Sequence, residues 1–196
     1  MRSKKALLVV DLQNDFCPGG ALGVEEGDQI IPRVNEYVAL FLKHRLPIFV
    51  SRDWHPPESG HFKAGGGPWP PHCIRETAGA RFHPDFKVPP EAIIISKGTD
   101  PQADGYSVFE GHDAAGTSFL ELLVQMGIQE LYIAGIATDY CVRWSAHDAL
   151  RHGFAVKVLL DGIKGVDKHD SAQALEEIVA QNGRLTSFGE VLAELV

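Results

Sequence analysis

The sequence predicts an α/β fold in which a parallel sheet carries helices on both faces. Two observations lead there. Compact apolar blocks recur along the 196 residues, and helical patterns fill the intervals between them. Each block is a run of Leu, Val, Ile or Ala without polar alternation, as in a strand covered on both faces. Strands that alternate with helices cross over and lie parallel, with ligands at their carboxyl ends.

The first block is 6–10, and Ile30, Val34, Tyr37, Val38 and Phe41 share one face of the helix that follows. Blocks 47–51 and 92–96 are the second and third strands. Phe119, Leu122, Leu123 and Met126 mark the next helix, which Gly127 stops before strand 131–136. Residues 140–152 read as a helix that Gly153 ends before strand 155–160. Helix 170–181 and a short sixth strand at 185–188 complete the pattern.

The interval 53–90 breaks the alternation. It is rich in Pro, Gly and His, yet Trp54, Phe62, Trp69, Phe82 and Phe86 give it apolar anchors. Such a stretch inside a compact domain reads as an ordered, functional loop. With no repeat and no linker, 1–196 reads as one domain, long enough to bury about 70% of its unfolded surface.

A net charge of −8 argues against nucleic acid as a partner and favours a small-molecule ligand. Three cysteines do not make a disulfide framework. The opening Met1-Arg2-Ser3-Lys4-Lys5 leads into too short an apolar run for a signal peptide, and no stretch reaches transmembrane length. The expectation is a cytoplasmic protein with no membrane partner; self-assembly into a homo-oligomer is left open.

Chemistry gathers where the strands end. The run Leu131-Tyr132-Ile133-Ala134-Gly135-Ile136-Ala137-Thr138-Asp139-Tyr140-Cys141 delivers a cysteine at a strand-to-helix turn. There the helix N-terminus favours the thiolate, and its N–H groups can hold an oxyanion. Asp11 closes the first strand and Lys97 the third. Alone, the first is an ordinary helix cap, the second a solvated strand end and the cysteine a small core residue. Together they supply a nucleophile, a proton acceptor and a cation. In Asp53-Trp54-His55 the outer residues project to one side of an extended segment and can share a metal, with His61 and His72 on the loop beyond. Oxygen and nitrogen donors without thiolate suit Zn, Fe or Mn. His44, His83, His112, His147, His152 and His169 read as bystanders.

These pieces resemble one family. Val-Val-Asp11-Leu-Gln-Asn-Asp-Phe-Cys-Pro-Gly-Gly-Ala-Leu, Ser-Arg-Asp53-Trp-His55-Pro, Trp69-Pro-Pro-His72-Cys, Lys97-Gly, Tyr106-Ser-Val-Phe-Glu-Gly and Gly-Ile-Ala-Thr-Asp-Tyr-Cys141-Val stand in its order. Over essentially its whole length the chain is similar to the nicotinamidase/pyrazinamidase branch of the isochorismatase-like cysteine hydrolases.

The resemblance implies a three-layer α/β/α sandwich with a mainly parallel six-stranded sheet of order 3-2-1-4-5-6. It implies hydrolysis of nicotinamide, and of pyrazinamide, in NAD salvage. Asp11, Lys97 and Cys141 would form the triad, and the amides of Ala137 and Cys141 the oxyanion hole, with a cis peptide between Ile136 and Ala137. Asp53, His55, His61 and His72 would surround one divalent metal ion per chain. Phe16, Leu22, Trp69 and Tyr106 would contact substrate. The segment between Lys97 and Tyr106, and Tyr140, are variable positions that leave substrate preference open. The competing readings are an amidase for an N-carbamoyl compound or ureide, a metallohydrolase in which Cys141 is structural, and a thiol or metal sensor using Cys17, Cys73 and Cys141.

Overall fold

Strand β1 (Lys5–Val10) lies at the centre of a six-stranded sheet, paired in parallel with β2 (Ile48–Asp53) on one side and β4 (Glu130–Ile136) on the other. Beyond β2 lies β3 (Ile93–Lys97); beyond β4 lie β5 (Ala155–Lys164) and β6 (Arg184–Thr186). The order is β3-β2-β1-β4-β5-β6 and every pairing is parallel. The computed structural model describes residues 4–195.

Period-two alternation along β1 feeds two cores. Leu7 and Val9 pack with Val34, Tyr37 and Phe41 of α1 (Ile31–Lys43) and Val191 of α5 (Phe188–Leu195). Ala6, Leu8 and Val10 pack with Phe119 and Leu123 of α2 (Phe119–Gln125), Ala146 and Ala149 of α3 (Arg143–Arg151), and Ile178 of α4 (Lys168–Ala180). All five β1 residues Ala6 to Val10 are fully buried. Each large aliphatic side chain so placed contributes about 1.5–3 kcal/mol of hydrophobic stabilisation. The layering and strand order are those expected from the sequence.

The chain moves from β1 outward to β3 and then returns to β4, on the other side of β1. Loops from the carboxyl ends of β1 and β4 therefore diverge, and the crevice between them is the place for a ligand. Gly135 permits this closeness. Its φ is +117°, and a Cβ there would lie 2.0 Å from the Val10 carbonyl oxygen. The β4–β5 register also shifts between Ile133 and Gly135, a bulge that re-aims the end of β4.

Three elements differ from the sequence expectation. β5 runs on to Lys164, past the apolar block ending at residue 160, because pairing resumes after the bulge at Gly135–Ile163 and Ile136–Lys164. The sixth strand is Arg184–Thr186, and Phe188 instead begins α5. The helix expected from residue 140 starts as a π-helical turn, Thr138–Val142, before α3.

The 53–90 interval has little regular structure and is held by its polar contacts. The Gln13 side chain donates to the carbonyls of Asp53 (2.8 Å) and Ala80 (2.9 Å) and accepts from the Asp53 N–H (2.7 Å). The Asp15 carboxylate accepts from the Cys73 N–H (2.7 Å), and the His55 N–H bonds to the Cys73 carbonyl (3.0 Å). Phe62 and Phe86 are buried and anchor it from below. Among the described residues no helix is long and apolar enough to cross a membrane.

Candidate active site

Asp11 is the first residue past β1, with φ +50°, and Ser51 of β2 donates its hydroxyl to Asp11 Oδ1 at 2.7 Å. Lys97 ends β3 and reaches under the sheet's carboxyl edge with no solvent exposure. Its ammonium lies 2.8 Å from Asp11 Oδ2, donates to the Gly105 carbonyl at 2.8 Å, and bonds to Asp53 Oδ1. Cys141, in the π-helical turn after β4, places Sγ 3.4 Å from Lys97 Nζ. Oxygens of Asp11 and Asp53 and the Cys141 sulfur all lie within 4.8 Å of one another.

Electrostatics follow from this packing. Burial raises the pKa of Asp11 and the Asp53 charge adds to the shift, while Lys97 and the Ser51 hydroxyl oppose it. Burial alone would discharge Lys97, yet Asp11 and Asp53 outweigh it and hold the ammonium well above the ordinary lysine value. For Asp53 burial is likewise outweighed, by Lys97 and His55, and its pKa is lowered. Cys141 departs from the sequence expectation. Burial pushes its thiol well above the usual value, and Asp11 and Asp53 add to the shift that Lys97 only partly offsets. Packing therefore favours the thiol form of Cys141, beside a carboxylate of raised basicity.

On the neighbouring wall one ring nitrogen each from His55, His61 and His72 lies within 4.8 Å of the others. Asp53 Oδ2 is 3.5 Å from His55 Nε2 and 3.9 Å from His72 Nε2, so the carboxylate borders the histidine cluster. Both ring nitrogens of His55 are buried without a hydrogen-bond partner, a costly state for polar atoms that a cation bound at one of them would relieve in part. Burial lowers the pKa of His61 and of His72, favouring the neutral imidazoles a metal requires. Gly98 makes room for the cluster: at φ +64° it lies where a Cβ would come 2.4 Å from His55 Cε1. The residues fit a divalent ion.

Between these groups lies a cavity open to solvent at its mouth. Phe16, Leu22, Trp69 and Tyr106 all line it, together with Ala137 and Cys141. Trp69 Nε1 donates to the Tyr106 hydroxyl at 2.7 Å, and Tyr140 meets the Trp69 ring edge-on at 5.2 Å. The Ile136–Ala137 peptide is cis. Of the histidines read as bystanders, none joins the cluster among the described residues; His147 faces Glu177 and His152 stacks on Phe109.

Several residues here escaped the sequence reading. Ser51 and Gln13 act through hydrogen bonds spanning 40 residues, which leave no local pattern. Asp139 is buried and accepts from the Val166 N–H (3.0 Å) and the Asp167 N–H (2.9 Å), fastening the cysteine turn to the loop after β5. Asp104 bonds to His61 Nδ1 at 2.9 Å.

Comparison with known proteins agrees with this geometry. The isochorismatase domain model matches residues 5–190. A nicotinamidase/pyrazinamidase of Mycobacterium tuberculosis is 40% identical over 89% of this chain and 94% of its own length. An Escherichia coli nicotinamidase is 36% identical over 95% of this chain and 96% of its own. The crystal structure of a Pyrococcus horikoshii pyrazinamidase in complex with zinc superposes with a TM-score of 0.89 at 46% identity, covering 94% of this chain and 99% of that one. By sequence and by fold, the chain belongs to the isochorismatase family.

Proposed function

We propose that this chain is a nicotinamidase, hydrolysing nicotinamide to nicotinic acid and ammonia through a thioester on Cys141, with pyrazinamide as a second substrate. The observation that carries the reading is a cavity lined by Cys141, His61 and His72, with Asp11 and Lys97 buried beside the cysteine and His55 beside the other two histidines. Relatives named for this activity at 36–40% identity support it.

Asp11 is the base. Raised basicity suits a carboxylate that must accept a thiol proton and later return it. As that proton moves, Cys141 Sγ attacks the carboxamide carbon, and the oxyanion is received by the backbone amides of Ala137 and Cys141. The C–N bond then breaks and ammonia leaves with the proton from Asp11. Water attacks the thioester as Asp11 takes its proton; the carboxylic acid departs and the sulfur is reprotonated. Lys97 keeps its charge throughout and steadies the anion on Asp11 or on sulfur. The product acid is the one consumed in NAD salvage.

Asp53, His55, His61 and His72 are the residues that would hold the metal. Bound there, an ion would supply Lewis acidity with which these residues could hold the pyridine nitrogen and orient the ring. The donor set suits Zn, Fe or Mn, and the zinc-bound pyrazinamidase makes zinc the first ion to test. Phe16, Leu22, Trp69 and Tyr106 would enclose the ring. The chain acts as one domain with 53–90 as its metal-binding loop, and three free cysteines suit a reducing cytoplasm.

The test is ammonia release from nicotinamide by the zinc-loaded protein, with Cys141→Ala as control. Equal release from both, or from neither, would overturn the reading.

A further inference from the structure

His61 and His72 are oriented by different means. His72 Nδ1 is held by the Pro70 carbonyl at 2.8 Å, within its own loop. His61 Nδ1 is held by the Asp104 carboxylate at 2.9 Å, from a segment 43 residues away that also docks on the loop through Gly60 N–H to the Pro101 carbonyl at 2.8 Å. With Nδ1 engaged, Nε2 is the nitrogen left to His61 for an ion. We propose that Asp104 is a positioning residue for the metal: it fixes the His61 tautomer and ring orientation from outside the ligand set. This rests on the metal-site reading above.

The residues that follow strengthen the case. The Gly105 carbonyl accepts from Lys97 Nζ at 2.8 Å, and the Tyr106 hydroxyl accepts from Trp69 at 2.7 Å. Three consecutive residues therefore touch a metal-site histidine, the buried lysine and the cavity wall. Asp104 itself is 63% exposed, so its substitution disturbs no core. The carboxylate comes from a rim segment outside the metal-binding loop, so metal retention is tuned there and not only by the four donors. Partners of this kind change metal affinity by about 10–100-fold when removed.

The experiment is zinc affinity by competition with a chromophoric chelator, with melting of the zinc-free proteins measured alongside. Asp104→Ala should bind zinc about 10-fold or more weaker than wild type. Asp104→Asn, which keeps an acceptor oxygen, should retain more affinity than Asp104→Ala. Asp100→Ala is the control for loosening the segment, because Asp100 caps its own turn through the Gln102 N–H at 2.8 Å and its contacts are separate from His61. It should bind zinc as wild type does. Asp104→Ala within twofold of wild type, or Asp100→Ala losing as much as Asp104→Ala, would overturn the assignment while the metal site stands. A wild-type chain that takes up no zinc would overturn the metal reading and the assignment together.

Discussion

Asp53 and Lys97 join the two halves of the site: Asp53 Oδ1 accepts from Lys97 Nζ, and Oδ2 of the same carboxylate faces His55 Nε2 at 3.5 Å. One buried anion therefore serves both the cation beside the nucleophile and the histidine cluster. Adjacent pairing makes this possible, because Asp53 and Lys97 stand opposite each other at the ends of β2 and β3.

That sharing separates two substitutions. His55→Ala should reduce zinc retention while Cys141 keeps its wild-type rate with a small alkylating agent. Asp53→Asn should reduce zinc retention and also change the alkylation rate, because it removes one of the two carboxylates that raise the thiol pKa. Metal content and alkylation kinetics of the two variants check this. Identical behaviour of both would show that Asp53 acts on one centre alone.

Removing the lysine should expose the electrostatic balance. Lys97→Met leaves Asp11 and Asp53 buried without a cation, and breaking such a pairing costs about 3–5 kcal/mol. The pH dependence has a definite sign. In the wild type the lowered pKa of Asp53 contributes stability above the ordinary carboxylate range, lost as pH falls toward its folded value. Asp11, being raised, gains on acidification. In the variant both carboxylates prefer the protonated state, so acidification favours its folded form. The stability gap should narrow between pH 7 and about pH 5, as urea denaturation at the two values would reveal.

Much of this arrangement was legible in the sequence because each reactive residue sits at the end of a buried strand. Asp11, Asp53 and Lys97 close or follow apolar runs, and Cys141 follows Ile136 by five positions. The start of α5 is hidden in the sequence because 185–188 has strand composition. Ser187 and Glu190 carry the available signal: Glu190 accepts from the Ser187 N–H at 2.8 Å, the three-residue spacing of a capping box. Asp104 and Ser51 were not legible, since their roles exist only once distant segments meet. The Cys141 ionisation depends on depth, which the sequence does not carry: a helix terminus and a lysine favour thiolate, but burial beside two carboxylates pushes the thiol pKa up.

Metal retention should persist to lower pH than free imidazole chemistry suggests. Burial lowers the pKa of His61 and His72, so in the folded protein they stay neutral below about pH 6.5, the unperturbed value. For the zinc-free protein the sign is the reverse of a salt-bridged histidine. The unfolded chain binds protons first, so stability falls as pH drops through that value and until the lowered folded values are reached. Dialysis at stepped pH with metal analysis, and melting of the zinc-free protein across the same range, test both statements. Zinc lost in step with free imidazole would contradict the burial argument.

Rapid quench with nicotinamide should leave a nicotinoyl group on the peptide containing Cys141 and on neither Cys17 nor Cys73. All three cysteines are buried and free, so burial does not distinguish them. Position does. Only Cys141 lines the cavity, and its sulfur alone has Lys97 within hydrogen-bond distance. Cys141→Ala should therefore lose about 10³-fold or more in turnover, while Cys17→Ala stays within a few-fold of wild type. An aldehyde analogue of nicotinamide should inhibit strongly, since its adduct with sulfur resembles the tetrahedral state. Turnover by Cys141→Ala at the wild-type rate, with no adduct found even for the aldehyde, would transfer the chemistry to water held among the histidines and leave Cys141 a structural residue.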